Sequence, residues 1–310
     1  MIISASRRTD IPAFFSDWFW GRLDEQYAYI RNPMNFHQVS KINLSPDVVD
    51  CIVFWSKNPR PMLDKLNKLE KYMYYFQFTL NAYHTDIEQN LPTLHDRIET
   101  FQQLSRQIGK ERIIWRYDPI LLNDSYTVQW HIDAFSYIAD KLSAYTEKVT
   151  ISFIDLYRQI AKNMRAQNIQ ELDFESKNLL AKELSSIAHA HGLIIDTCAE
   201  DIDLARYDIQ HAACIDAAQI SRLLGTPISV SKDKNQRPVC GCAASIDIGF
   251  YNTCQNGCLY CYANHSAKIR AEALQVYDPH SLLLCSYLME LDKVTERKCE
   301  SLKEMQVGLF

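Results

Sequence analysis

Short β-branched or aromatic runs alternate with segments of helical periodicity along this chain, and that alternation restricts it to an α/β fold built on a parallel sheet. The runs are residues 2–5 (IISA), 51–55 (CIVFW), 74–80 (YYFQFTL), 112–117 (RIIWRY), 148–154 (KVTISFI) and 193–197 (LIIDT). Several are continuously apolar, as suits strands covered on both faces. Between them, Leu94, Ile98, Phe101, Leu104 and Ile108 mark one amphipathic helix over 92–109, with Pro92 in its first turn and Gly109 at its end. Residues 130–142 (Ile132, Phe135, Ile138, Leu142) and 174–191 (Leu180, Leu184, Ile187, His191) repeat the pattern. Strand, helix, strand repeated in this way calls for right-handed crossovers, and predicts a full or partial parallel (β/α) barrel.

The 310 residues suffice for one large domain or two small ones. The texture changes after Gly225-Thr226-Pro227, where Ser231 to Pro238 form a polar connection, so we expect a barrel-like domain over 1–225 and a Cys-rich, partly helical extension over 226–310 packed on it. The net charge of −5 gives no global basic excess for nucleic acid or membrane. The N-terminus lacks a signal-peptide pattern and no apolar stretch approaches a membrane span, which predicts a cytoplasmic protein.

In parallel α/β folds ligands gather at the carboxyl ends of the strands, and here those ends are rich in functional side chains. Ser6-Arg7-Arg8-Thr9-Asp10 follows the first run, Trp55-Ser56-Lys57-Asn58-Pro59 the second, and Gln77 and Thr79 lie in the third. Arg116-Tyr117-Asp118-Pro119 follows the fourth, Ser152 and Asp155 close the fifth, and Cys198-Ala199-Glu200 follows the sixth. Any one of them suits a helix cap or a turn. Together they converge on one face, which makes Arg7, Arg8, Asp10, Lys57, Arg116, Asp118, Asp155 and Glu200 the candidate catalytic residues.

Ten Cys are unevenly placed: Cys240, Cys242, Cys254, Cys258 and Cys261 fall within 22 residues, where an even spread would put fewer than one. In a reducing compartment such clustering points to metal binding or redox chemistry. Cys254-x3-Cys258-x2-Cys261 lets three thiolates wrap one corner of a cubane cluster, with Gly257 easing the turn. Three Cys can leave one iron open, by the logic that separates open catalytic metal sites from closed structural ones. A structural zinc site is the rival, although only Cys258 and Cys261 form a C-x2-C knuckle. Cys198, Cys214, Cys240 and Cys242 could complete a second cluster; alternatively Cys240 or Cys242 closes the first, leaving Cys198 and Cys214 as buried thiols. Cys51, Cys285 and Cys299 read as packing residues.

The motif, with Tyr260 just before the last Cys, resembles the signature of radical S-adenosylmethionine (SAM) enzymes. The stretches IISASRRTDIP, IVFWSKNP, FQFTL, IWRYDPIL, SFIDLY, CAE and SIDIGFYNTC…CLYCYAN resemble the family called domain of unknown function 1848. That resemblance implies an iron–sulfur protein related to radical SAM barrels. The family brings no assigned reaction; under the leading expectation, which follows the radical SAM-like motif, Cys254, Cys258 and Cys261 hold a [4Fe–4S] cluster that binds SAM and cleaves it reductively, with Tyr260, Asp247 and Asn264 as candidate cofactor contacts. Radical SAM enzymes carry the motif after the first barrel strand, whereas here it follows six; a permuted barrel fed by Ser245 to Phe250, or an extension folded over the mouth, would each accommodate it. The expected partners are a small-molecule substrate and an electron donor such as ferredoxin or flavodoxin. Two further readings are a non-catalytic iron–sulfur carrier or redox sensor, and a nucleic-acid repair enzyme like photoproduct lyases, in which Trp18, Trp20 and Trp55 would stack bases.

Overall fold

The computed structural model describes residues 1–304. In chain order its strands are β1 (Ile2–Ala5), β2 (Tyr27–Arg31), β3 (Gln38–Asn43), β4 (Cys51–Ser56), β5 (Tyr74–Thr79), β6 (Ile113–Ile120), β7 (Lys148–Phe153), β8 (Ile194–Cys198), β9 (Gln210–Ala212), β10 (Ile246–Asp247) and β11 (Lys293–Glu296). The helices are α1 (Ile11–Phe14), α2 (Ser16–Glu25), α3 (Leu94–Ile108), α4 (Val128–Leu142), α5 (Ala161–Ala166), α6 (Phe174–Ala190), α7 (Ala217–Leu224) and α8 (Ala267–Gln275). Eight strands form one wholly parallel sheet in the order β10-β1-β4-β5-β6-β7-β8-β9. β11, β3 and β2 make a small second sheet. The six apolar runs are six of the eight parallel strands, and the three periodic segments are α3, α4 and α6.

The large sheet curls. β5 and β9 stand four places apart, so a flat sheet would separate them by roughly 19 Å. Yet Tyr75 Oη and Gln77 Nε2 on β5 donate to the carbonyl of Cys214, just past β9, at 2.7 and 2.9 Å. Among the described residues the hydrogen-bonded ladder ends at β9 and β10 without joining them, and the architecture is that of a partial barrel. Chain outside the ladder fills the seam, where the Ala243 amide donates to the Ile215 carbonyl at 2.9 Å.

Alternation along the strands gives the two sides different cores. Ile2, Cys51, Val53, Tyr75 and Ile114 pack together inside the curl. Ile3, Phe54, Phe76 and Trp115 face outward into the larger core beneath the helices. Trp115 stacks on Phe135 of α4 with ring centroids 4.7 Å apart, and its indole N–H donates to the Leu80 carbonyl at 2.9 Å. Thr93, Thr127 and Asp173 cap α3, α4 and α6 by accepting from the amides of Asp96, Trp130 and Ser176, a device worth about 1 kcal/mol each.

The C-terminal part differs from the expected extension. β10 joins the main sheet beside β1 and β11 joins the small sheet beside β3, so residues beyond 226 contribute to both. Among the described residues helix is confined to α8 there, because Pro279 cannot donate within a helix and the β-branched Val294 and Thr295 pair instead with β3. Arg31 and Asp292, both buried, clamp this segment to β2 through two bonds of 2.8 Å. No helix among the described residues is long and apolar enough to cross a membrane.

His131 on α4 is fully buried, with Nδ1 2.8 Å from the Tyr117 hydroxyl and Nε2 2.8 Å from the Leu121 carbonyl. Burial pushes its pKa down to about 4. The neutral ring is therefore the native form, and its contribution, full above pH 6.5, is lost as the pH falls toward 4. Denaturant titrations should show the protein losing about 3 kcal/mol more stability over that window than a His131→Gln variant. Equal losses would exclude this assignment.

Candidate functional site at the barrel mouth

Parallel pairing brings the carboxyl ends of β10 and β1 to the same side, so residues 248–264 emerge beside residues 6–10. Asp247 makes the join. Its Oδ1 accepts from the Ser6 hydroxyl (2.7 Å) and the Gly249 amide (3.0 Å), and its Oδ2 from the Ser4 hydroxyl (2.6 Å) and the Arg7 amide (2.8 Å). Position 249 needs glycine, since a Cβ there would stand 2.0 Å from the Ser6 hydroxyl. Four donors thus occupy Asp247, which seats the backbone of the mouth.

Asp10 ties together three loops. Its Oδ1 accepts from the Ala13 amide at 3.0 Å, capping α1, while Oδ2 accepts from the Lys57 amide after β4 (2.9 Å) and from Asn256 Nδ2 between the motif cysteines (3.0 Å). Asn264 Nδ2 donates to the Cys254 carbonyl at 2.7 Å, and its buried Oδ1 has no partner. Gly257, at φ +70°, takes the left-handed turn that the motif requires. So held, Cys254, Cys258 and Cys261 lie near one another, and burial, followed by the negative charge of Asp10 and of the other two cysteines, holds the Cys254 thiol well above its ordinary range. The Cys258 thiol is pushed up to about 12 by burial, against the pull of Lys57.

Lys57 is the cation at this group. Burial would lower its pKa, but Glu88, Cys258 and Asp118 hold it above its usual value. Its Nζ donates to Glu88 Oε1 at 2.8 Å and lies 5.4 Å from the centre of the Tyr260 ring. Glu88, fully buried, also meets Arg97 at 3.3 Å and accepts from the Tyr260 hydroxyl.

The other four cysteines gather on the β5–β6–β8–β9 side. Cys198 and Cys214 have their sulfurs 2.9 Å apart, Cys242 contacts Cys214 and Cys240, and the Ile215 amide points at the Cys242 sulfur from 3.5 Å. Arg116 reaches this group. Nη1 donates to the Cys214 sulfur at 2.9 Å and to Gln77 Oε1 at 3.3 Å, and Nε donates to Asp118 Oδ2 at 3.0 Å. Among the described residues no three His, Cys, Asp or Glu side chains surround one point as a single metal ion requires. The four thiols run instead as a chain.

Arg7 lies near Asp233 (3.4 Å), Ser245 (3.3 Å) and the Trp55 ring, 5.8 Å from its centre, while Arg8 sits 5.2 Å over Tyr251 with Nε 3.8 Å from Asp247. Asp155 is paired with Arg237. Glu200 accepts from the Phe153 amide at 2.8 Å, and burial pushes its pKa up to about 7. Across the mouth, Tyr157 from the loop after β7 meets Tyr262 at 5.9 Å, and Asn163 donates to the Leu259 carbonyl at 3.2 Å. Trp18 and Trp20 lie in the core and cannot stack on bases, which corrects that part of the nucleic-acid reading. Sequence reasoning missed Glu88, Arg97 and Asn256: Glu88 and Arg97 follow no strand end closely, and an Asn between motif cysteines looks like a turn residue. A cavity of about 680 Å³ lies elsewhere, between the start of β8, β9 and residues 239–241.

The family model for a domain of unknown function, DUF1848, matches residues 2–263. The chain belongs to this family. The matched span runs from β1 through β10 and past Cys261, so the DUF1848 match includes every sheet strand of the partial barrel and both cysteine groups. Among curated proteins none matches. A solved structure from Bacteroides thetaiotaomicron VPI-5482, proposed as an alpha-L-fucosidase, is similar at 12% identity and a TM-score of 0.30, covering 69% of this chain. The chain spans about three fifths of that protein's length (61%), and likeness at this level carries no argument.

The Glu88 carboxylate is the charge on which this DUF1848 mouth leans, since its loss strands Lys57 and Arg97 in buried surroundings. Glu88→Ala should lower unfolding free energy by about 3–5 kcal/mol in denaturant titrations. A loss below about 1 kcal/mol would show that both cations find solvent or other partners.

Proposed function

We propose that this protein is an iron–sulfur enzyme of radical SAM type, in which Cys254, Cys258 and Cys261 hold a [4Fe–4S] cluster at the barrel mouth and the substrate is a small polar molecule. The observation that carries the reading is the placement of the loop bearing those three thiols, near Lys57, at the carboxyl end of a strand paired in parallel with β1. In spatial order β10 is the first strand of the sheet, so the motif follows the first strand in space although it comes late in sequence. The residues fit the group: three soft sulfur donors, a buried ammonium to balance their negative charge, and an unpartnered buried amide oxygen on Asn264.

A cluster with one iron free of protein ligands would supply SAM with a coordination site and, once reduced by a ferredoxin- or flavodoxin-type donor, an electron. The chain's own part is to bind and orient. Lys57, held by Glu88, faces Cys258 with its charge fixed, and Asp10 fixes the turn between Cys254 and Cys258 through Asn256. Arg116 and Asp118 present a paired cation and anion to the interior, suited to an amino-acid-like or carboxylate substrate. Tyr157 and Tyr262 bring the loop after β7 against the cysteine loop at the mouth.

The test is anaerobic reconstitution followed by electron paramagnetic resonance of the reduced protein with and without SAM. A SAM-dependent change in the signal and release of 5′-deoxyadenosine are expected, and Cys254→Ala should abolish both. An unchanged signal without 5′-deoxyadenosine would favour a closed-cluster electron carrier instead.

A further inference from the structure

The proposed SAM site leaves Cys198, Cys214, Cys240 and Cys242 without a role. They come from three separate places: the end of β8, the turn after β9, and the stretch before β10. These are the segments that meet at the open seam of the sheet, where no ladder joins β9 to β10. Cys214, Cys240 and Cys242 are buried, and Cys198 is half-buried. Four thiols drawn from positions up to 44 residues apart, into one contact chain, are not the product of a local turn.

We propose that these four residues bind a second iron–sulfur cluster, of [4Fe–4S] type and closed by protein on every iron. Three features carry it. First, the number is right: such a cluster takes one Cys per iron, and four are present. Second, the spacing suits a cluster better than zinc, since Cys240-x-Cys242 is too short for a zinc knuckle and Cys198 and Cys214 lie 16 residues apart. Third, the surroundings suit an anionic sulfur set. The buried Arg116 guanidinium donates to the Cys214 sulfur at 2.9 Å, and the Ile215 amide is directed at the Cys242 sulfur. Hydrogen bonds to ligand sulfurs and a nearby buried cation are the protein's means of setting a cluster's potential.

The location gives the second cluster a defined relation to the first. Arg116 is shared between the Cys214 sulfur and Asp118, and Asp118 lies close enough to Lys57 to raise its pKa, while Lys57 faces Cys258. The polar interior thus runs from one thiol group to the other, and a substrate held by Arg116 and Asp118 would lie between them. The closed cluster's ligands are independent of the Cys254 loop, so the proposal stands whether or not that loop binds SAM.

Iron, sulfide and zinc are measured per chain in full-length protein reconstituted anaerobically, in the wild type, Cys240→Ala, Cys254→Ala and the double variant. About eight irons are expected in the wild type, about four in each single variant and almost none in the double. Iron unchanged by Cys240→Ala overturns the second cluster, and a loss confined to Cys240→Ala overturns the SAM site instead. Zinc that leaves with Cys240→Ala while iron stays, or a Cys198–Cys214 disulfide in the fully iron-loaded protein, also overturns it. The wild type alone gives an answer that no folding defect can mimic: two distinct reduced-cluster signals, of which SAM perturbs one. One signal with about four irons that Cys240→Ala leaves in place refutes the proposal.

Discussion

Asp247 is the residue on which the mouth of this protein depends. Its two oxygens accept from Ser4, Ser6, Arg7 and Gly249, and so hold the short strand β10 against β1 through side-chain and backbone bonds together. A two-residue strand has little ladder of its own, and a charged acceptor bonded by several donors is worth more than neutral pairing. Because β10 is parallel to β1, everything after it is delivered to the face where the strand ends gather. The cysteine loop reaches the mouth for that reason.

From this join the polar structure extends as a series of shared groups. Asp10 links α1, the end of β4 and the turn between Cys254 and Cys258. Glu88 balances Lys57 and Arg97 and receives the Tyr260 hydroxyl. Arg116 divides its donors among Asp118, Gln77 and the Cys214 sulfur. Each is a buried charge whose cost of desolvation is offset only by several partners at once. That interdependence explains why residues from different strand ends, unremarkable singly, make one site.

Much of the fold was legible along the chain because the signal is local. An apolar run such as IVF at 52–54 or IIW at 113–115 and a helix such as 94–108 reveal their type through neighbours a few residues away. The placement of Arg7, Lys57, Arg116 and Cys198 at or near strand ends was legible too, since parallel strands put their carboxyl ends on one side. β2, β3, β9 and β11 were not. They are short or polar, and pairing with distant strands rather than propensity makes them strands. Glu88 escaped for a similar reason: nothing near Ile87 or Gln89 in sequence marks the buried cations it meets.

The sequence by itself determined the alternating α/β class, the family, and the C-x3-C-x2-C grouping of Cys254, Cys258 and Cys261, because periodicity and cysteine spacing are properties of neighbouring residues. Only the tertiary structure decided that residues beyond 226 return to the main sheet as β10, and that Cys240 and Cys242 sit with Cys198 and Cys214 rather than with the loop a few residues on. The reason is geometric. A strand's place in a sheet, and hence the company its following loop keeps, is settled by the curl of the whole sheet and by buried carboxylates such as Asp247, whose partners lie some 240 residues away.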